Sequence, residues 1–182
     1  MPKEQKDDLR VLKTRKALYS SLFILLNRKK FTKITVHHLC EESLVSRTAF
    51  YAHYKDKYDL LEQWLRDEKE ALMQAFQECA DSQVEDVLYK KLQTYSVALV
   101  NLLEDADREQ QKLILRFFLP DTGDSEINDN ETLANFLAGG ISNVVFSQII
   151  DKKKTSEEAI KKTSNYVYRM ILAILTWNTT AS

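Results

Sequence analysis

An all-α fold follows from three features of this 182-residue chain: three glycines and two prolines in all, a hydrophobic share of 44%, and long stretches in which apolar residues return every 3.6 positions. Breakers this scarce leave little room for the turns a sheet of short strands needs. The chain contains neither a repeat nor a low-complexity tract. Its length is enough to bury a sizeable core and suits a small head on a larger body. The division falls at residues 1–57, an N-terminal three-helix head with a helix-turn-helix, and 58–182, a C-terminal helical bundle.

The first helix spans about residues 9–28 and runs out in NRKKFTKIT. Thr35 then makes a good N-cap, because its hydroxyl accepts from a backbone N–H that the helix leaves unpaired. Ile34 before it and Leu39 after it are spaced as a hydrophobic staple. The second helix therefore covers 36–43. Ser46 repeats the device with Val45 and Phe50, so a turn around 43–45 leads into a third helix at 47–53. Asp56 caps a fourth, which continues through Leu60, Leu61, Trp64, Leu65, Leu72 and Phe76 and links head to body.

Ser82 and Glu85 are spaced as a capping box for a helix reaching about Leu103, with Val84, Leu88, Leu92, Tyr95, Leu99 and Leu102 on its apolar stripe. A shorter helix at 107–119 stops at Pro120. The acidic run 121–130, with Gly123, reads as an exposed loop. Two long helices follow, 131–150 and 156–177, the second started by a Thr155–Glu158 box. From Tyr166 to Leu175 apolar residues encircle the last helix except at Arg169, so more than one side of it needs cover. Gly139 and Gly140 each cost roughly 1 kcal/mol against alanine in a helix interior and are tolerated where two backbones approach closely. A partner surface is the expectation.

Charge is divided unevenly along the chain. Residues 1–57 carry thirteen Lys and Arg against six Asp and Glu, or +7, whereas residues 58–182 carry thirteen against twenty-one, or −8. All three histidines, His37, His38 and His53, lie in the basic part. A basic footprint confined to one small domain points to a polyanion there, despite a whole-chain pI near 6.3.

The third helix supplies the chemistry. Phe50 and Tyr54 share one face, and Arg47, Thr48 and Tyr51 share the other. A core requires the first face but does not require the second to be built from donors suited to phosphates and base edges. Arg47 can pair with guanine or a phosphate, Thr48 can meet a thymine methyl, and Tyr51 can reach a phosphate oxygen. Lys57 opens the fourth helix, where a cation opposes the helix dipole by about 0.3 to 1 kcal/mol. An anion at that terminus would account for it.

Read together, TVHHLCEESLVSRTAFYAHYKDKYDLL resembles the DNA-binding domain of the TetR family of bacterial transcriptional repressors, over about residues 15–61. The resemblance implies that Thr35 meets the DNA backbone, that Arg47, Thr48 and Tyr51 belong to the recognition helix, and that His53 and Lys57 contact phosphate, with His37 assisting. It also implies a homodimer built by the last two long helices, here through Gly139, Gly140, Val167, Met170, Ile171 and Ile174. Two heads would then read a near-palindromic double-stranded operator. A body cavity for a small-molecule effector is a further implication, with Trp64, Tyr89, Tyr95, Phe117, Phe118, Phe136 and Phe146 as candidate lining, although aromatics at helical spacing are more often core. Two positions depart from the family pattern. Leu44 replaces the usual turn glycine, so a left-handed backbone there costs roughly 1 to 2 kcal/mol unless the turn takes another shape. Cys40 replaces alanine.

Other classes find less support. His37, His38 and Cys40 lack the closing spacing of a metal site, and neither Cys40 nor Cys79 has a positioned base or an oxyanion loop. No metal, cofactor or enzyme activity is expected. Two lone cysteines, the absence of an apolar stretch in MPKEQKDDLR and of any long apolar run imply a cytoplasmic chain that does not cross a membrane. The runner-up is a coactivator of the same fold acting through a protein partner, against which Arg47, Thr48, Tyr51 and Lys57 argue.

Overall fold

The first helix begins earlier than its apolar pattern, because Lys, Glu and Gln at its start are good helix formers in their own right. In the computed structural model, which describes residues 3–80, 83–118, 157, 158, 160–162 and 165, α1 covers Lys3–Leu26. It ends two residues short of the expected boundary, where the Asn27 side chain donates 2.8 Å back to the Phe23 carbonyl. Its inner stripe is Leu18, Leu22, Leu25 and Leu26, all buried.

A single 3-10 turn at Phe31–Lys33 leads to α2, Val36–Ser43, and then α3, Arg47–Tyr51. Helix α3 is two residues shorter than the expected 47–53. Tyr54 nevertheless reaches the core from beyond its end. The linking helix α4 spans Lys57–Glu78 and buries Leu60, Leu61, Trp64 and Leu65. Its later apolar positions, Leu72 and Phe76, are only half-buried.

Helix α5 is Val84–Leu103 and α6 is Arg108–Phe118. The cap of α5 is Gln83 and not the expected Ser82, which lies outside the described residues; the Gln83 side chain turns back to accept from the Ala80 N–H at 3.3 Å. Asp107 caps α6 by accepting from the Gln110 N–H at 2.9 Å.

One apolar core runs through these helices. Phe31, Ile34, Leu39 and Phe50 from the first part pack in the same cluster as Leu60, Trp64, Ala98, Leu102, Leu113 and Ile114. The expected division at 57/58 therefore falls at the first turn of α4, whose buried face serves both sides. Polar contacts tie the same junction. Asn101 donates to the Leu26 carbonyl at 2.8 Å, Tyr58 Oη donates to Asp107 at 2.5 Å, and Lys30 lies 2.5 Å from Asp105 and 3.3 Å from Glu104. Of the segment 157–165, Ile160 is buried, and Asn165 donates to Glu85 on α5 at 3.2 Å. Among the described residues no helix is long and apolar enough to cross a membrane.

Candidate nucleic-acid interface

Thr35 holds extended backbone, and its hydroxyl accepts from the His38 N–H at 3.2 Å. His38 Nδ1 accepts in return from the Thr35 N–H, also at 3.2 Å. This is a reciprocal capping box with histidine in the place usually held by Glu or Gln. Ile34 and Leu39 are both fully buried, as a staple requires. His37 points outward on the next position, 3.3 Å from exposed Glu41.

Helix α2 ends on Leu44, which adopts the left-handed conformation at φ 57°, ψ 25°. Its side chain is 94% exposed, so no packing compensates the steric cost. Ser46 then caps α3, accepting from the Ala49 N–H at 3.1 Å. The two faces of α3 separate as its spacing predicts. Phe50 is completely buried, whereas Arg47, Thr48 and Tyr51 are exposed, Tyr51 by 58%. The Tyr51 ring meets Phe50 edge-on at 5.3 Å while remaining exposed. His53 is exposed just beyond the helix, its ring 6.4 Å from that of buried Tyr54.

Asp56 begins α4 by accepting from the Tyr58 and Asp59 N–H groups at 2.7 and 2.9 Å. Lys57, the first residue of that helix, makes contacts that its local sequence does not reveal. Its ammonium turns inward and donates to the carbonyls of Phe31 and Ile34, both at 3.0 Å, with Thr32 at 3.5 Å. It also sits 4.6 Å from the Phe31 ring and 5.1 Å from that of Tyr58. The anion that sequence reasoning sought at this terminus is a set of backbone dipoles from 23 to 26 residues away. Burial pushes the Lys57 pKa down, with Asp107 and Asp56 acting against that shift. In this arrangement the ammonium faces three backbone carbonyls.

Lys33 and Lys55 were not singled out from the sequence. Both are exposed, one on the 3-10 turn before Thr35 and the other between Tyr54 and Asp56. Neither has a carboxylate partner among the described residues. Arg15, Arg28 and Lys30, by contrast, are anchored on Asp67, Glu42 and Asp105. A cation becomes informative only once its neighbours are known, and the sequence does not supply them.

The other candidate sites are less developed. Trp64 is buried against Tyr95, ring centroids 6.0 Å apart, and Tyr95 meets Phe23 edge-on at 5.0 Å, so both act as core at this junction. Tyr89 is half-buried, and its pKa is raised by burial and by nearby Glu157. The side chains of Phe117 and Phe118, together with Phe136, Phe146, Gly139, Gly140, Val167, Met170, Ile171 and Ile174, lie outside the described residues. A polar groove of about 280 Å³ between α1 and α4 is lined by Arg15, Asp59, Glu62, Gln63, Arg66 and Asp67. Its cations already pair internally, Arg15 with Asp67 and Arg66 with Glu62. Among the described residues no three His, Cys, Asp or Glu side chains converge as metal ligands.

No family model matches the chain, and no curated protein does. Solved structures do. A TetR transcriptional regulator from Streptococcus agalactiae 2603V aligns with a TM-score of 0.59 at 20% identity, over 90% of this chain and 98% of its own. A dihydroxyacetone kinase operon activator, DhaS, aligns with a TM-score of 0.57 at 14% identity, over 90% and 96%. The likeness is one of fold, and the all-helical TetR-like architecture is the fold of this chain.

Proposed function

We propose that this protein is a sequence-specific DNA-binding transcriptional regulator, a homodimeric repressor of the TetR type that leaves a near-palindromic operator when a small molecule binds its body. One observation carries the reading. The five-residue helix α3 is pinned from behind by fully buried Phe50 and from its start by Ser46, and it presents Arg47, Thr48 and Tyr51 to the outside. A short helix held this firmly positions its donors without needing the ligand to order them, as base-edge recognition demands.

Thr35, His37 and His53 flank that face on exposed positions and complete the proposed contact surface. The acidic body would be repelled by the duplex, which keeps the basic head as the part that docks. Release follows if an effector binds more tightly to a state whose two heads are wrongly spaced, since only differential affinity shifts the equilibrium. Repression is the simplest result of occupying an operator. The opposite sign is the one for which the activator of similar fold is named. The solved structures of similar fold are named as regulators of transcription, which supports a role other than catalysis, and buried free Cys40 suits a reducing cytoplasm.

The test is a fluorescence-anisotropy titration against genomic DNA fragments over a salt series, with sedimentation to fix the oligomer. Salt-dependent binding that one fragment wins, lost in Arg47→Ala and Tyr51→Ala, supports the proposal. A wild-type protein that ignores duplex DNA even at low ionic strength would sink it and leave the coactivator reading. Thermal shifts against a metabolite panel address the effector.

A further inference from the structure

The structure assigns to His38 an acid-sensitive catch at the start of α2: protonation of its ring opens the capping box and frees the segment around Thr35. The box is reciprocal. His38 Nδ1 accepts from the Thr35 N–H at 3.2 Å, and the His38 N–H donates to the Thr35 hydroxyl at 3.2 Å. Only an imidazole with a bare Nδ1 can accept, so this arrangement holds the neutral ring with its proton on Nε2. A protonated ring turns a second donor toward the Thr35 N–H. It also puts a positive charge in the first turn of α2, where the helix dipole opposes it. A glutamine there, equally able to close the box, has no proton to gain.

The charged neighbours do not offset this. On α2 itself, the His37 ring lies nearly parallel to that of His38, centroids 6.3 Å apart, and its Nε2 is 3.3 Å from Glu41. Glu42, one turn beyond His38, is held at 2.9 Å by Arg28 from just past the end of α1. Arg47 on α3 acts on Cys40, two residues along α2 from His38. Lys57 on α4 holds the Ile34 carbonyl at 3.0 Å, beside Thr35. Each neighbouring element thus brings a cation, and both carboxylates of α2 already face another partner. The unfolded chain takes up the proton freely, so stability falls as pH drops from about 8 to 5, where an ordinary imidazole titrates. The consequence for an operator rests on the DNA-binding reading above, in which Thr35 belongs to the contact surface.

The experiment uses the full chain with His38→Gln and His37→Gln, melted at about pH 8 and about pH 5.5. In acid the wild type should lose about 2 to 4 °C relative to His38→Gln, as a lost cap in a chain of this size implies. His37→Gln should respond to pH as the wild type does. By NMR of the wild type, the Thr35 amide proton should move upfield along the titration of the His38 ring, a readout that stands even if His38→Gln folds poorly. A Thr35 amide indifferent to that titration overturns the catch, as does a melting gap constant with pH or a pH response lost in His37→Gln. On duplex DNA the ratio of wild-type to His38→Gln affinity should fall with acid, the protons gained by His37 and His53 being common to both. A wild type that binds no duplex at low salt removes the DNA-binding reading and leaves the amide result to decide the catch.

Discussion

Lys57 Nζ lies 3.0 Å from the Ile34 carbonyl, one residue before the cap that starts α2. A cation at the first turn of α4 thus serves as the internal fastener of the loop that positions Thr35. Lys57→Met should keep the stem packed near Phe31 and Tyr58 but take the lysine donor from the Ile34 carbonyl and leave the Phe31 carbonyl with only the Ile34 N–H. The expected cost is about 1 to 3 kcal/mol, toward the lower end because the group is half-buried and water can reach part of it. Urea denaturation should show a lower midpoint at an unchanged m-value. At temperatures where the variant stays folded, its DNA-binding salt slope should match the wild type. A shallower slope with wild-type stability would return Lys57 to the phosphates.

Leu44 offers a gain in stability. At φ 57° its Cβ crowds the following carbonyl, and its 94% exposed side chain earns nothing by packing. Leu44→Gly removes a strain of roughly 1 to 2 kcal/mol and loses about 0.5 to 1 kcal/mol in backbone entropy, so a net stabilisation of about 0.5 to 1 kcal/mol is expected. Leu44→Ala retains Cβ and should gain none of it. Paired chemical melts of the two variants check this, and equal midpoints would show that the turn is not strained.

Much of the head was legible because caps act locally. Thr35, Ser46 and Asp56 each stop one helix from extending into the next, and each accepts the backbone donor its position predicts. The buried and exposed faces of α3 followed from spacing alone. Long-range partners were beyond reach. Lys57 pointed to an anion because a cation at a helix N-terminus opposes the dipole, and the carbonyls that take its donors are supplied by a turn separated from it in sequence. His38 went unrecognised as a cap partner because the usual box has Glu or Gln there, although an unprotonated imidazole nitrogen accepts equally well. In the body, Trp64 and Tyr95 were readable as apolar but not as core or cavity, since periodicity places a side chain on a face without saying what faces it.

The Tyr58 to Asp107 bond between α4 and α6 should give stability a pH signature. Its hydrogen bond to Asp107 is the main reason that the Tyr58 pKa rises from an ordinary 10.0 to about 12. The unfolded chain then loses that proton first, so the contribution is complete below pH 10.0 and disappears as pH climbs to about 12. The same bond, then the Gln110 N–H, holds the Asp107 carboxyl below its ordinary 3.8. That contribution is present above pH 3.8 and fades as pH falls through the depressed value. Tyr58→Phe should therefore be less stable than wild type at neutral pH, with the difference closing at both extremes. A gap independent of pH would assign the loss to packing.

The two faces of α3 should separate stability from recognition within one turn of helix. Phe50 is completely buried, and truncation to alanine there should cost about 3 to 5 kcal/mol of folding free energy through lost transfer and a residual cavity. Arg47 is exposed and contributes nothing comparable to the core, so Arg47→Ala should melt as the wild type does. Its effect belongs on the operator: about 1 to 3 kcal/mol of specific affinity if the guanidinium pairs with a base, together with relaxed preference at that base. If it meets only phosphate, all duplexes weaken alike and the salt slope falls by about one for each head engaged. Binding Arg47→Ala to the selected operator and to single-base variants of it distinguishes the two, because only base contact changes the ranking of sequences.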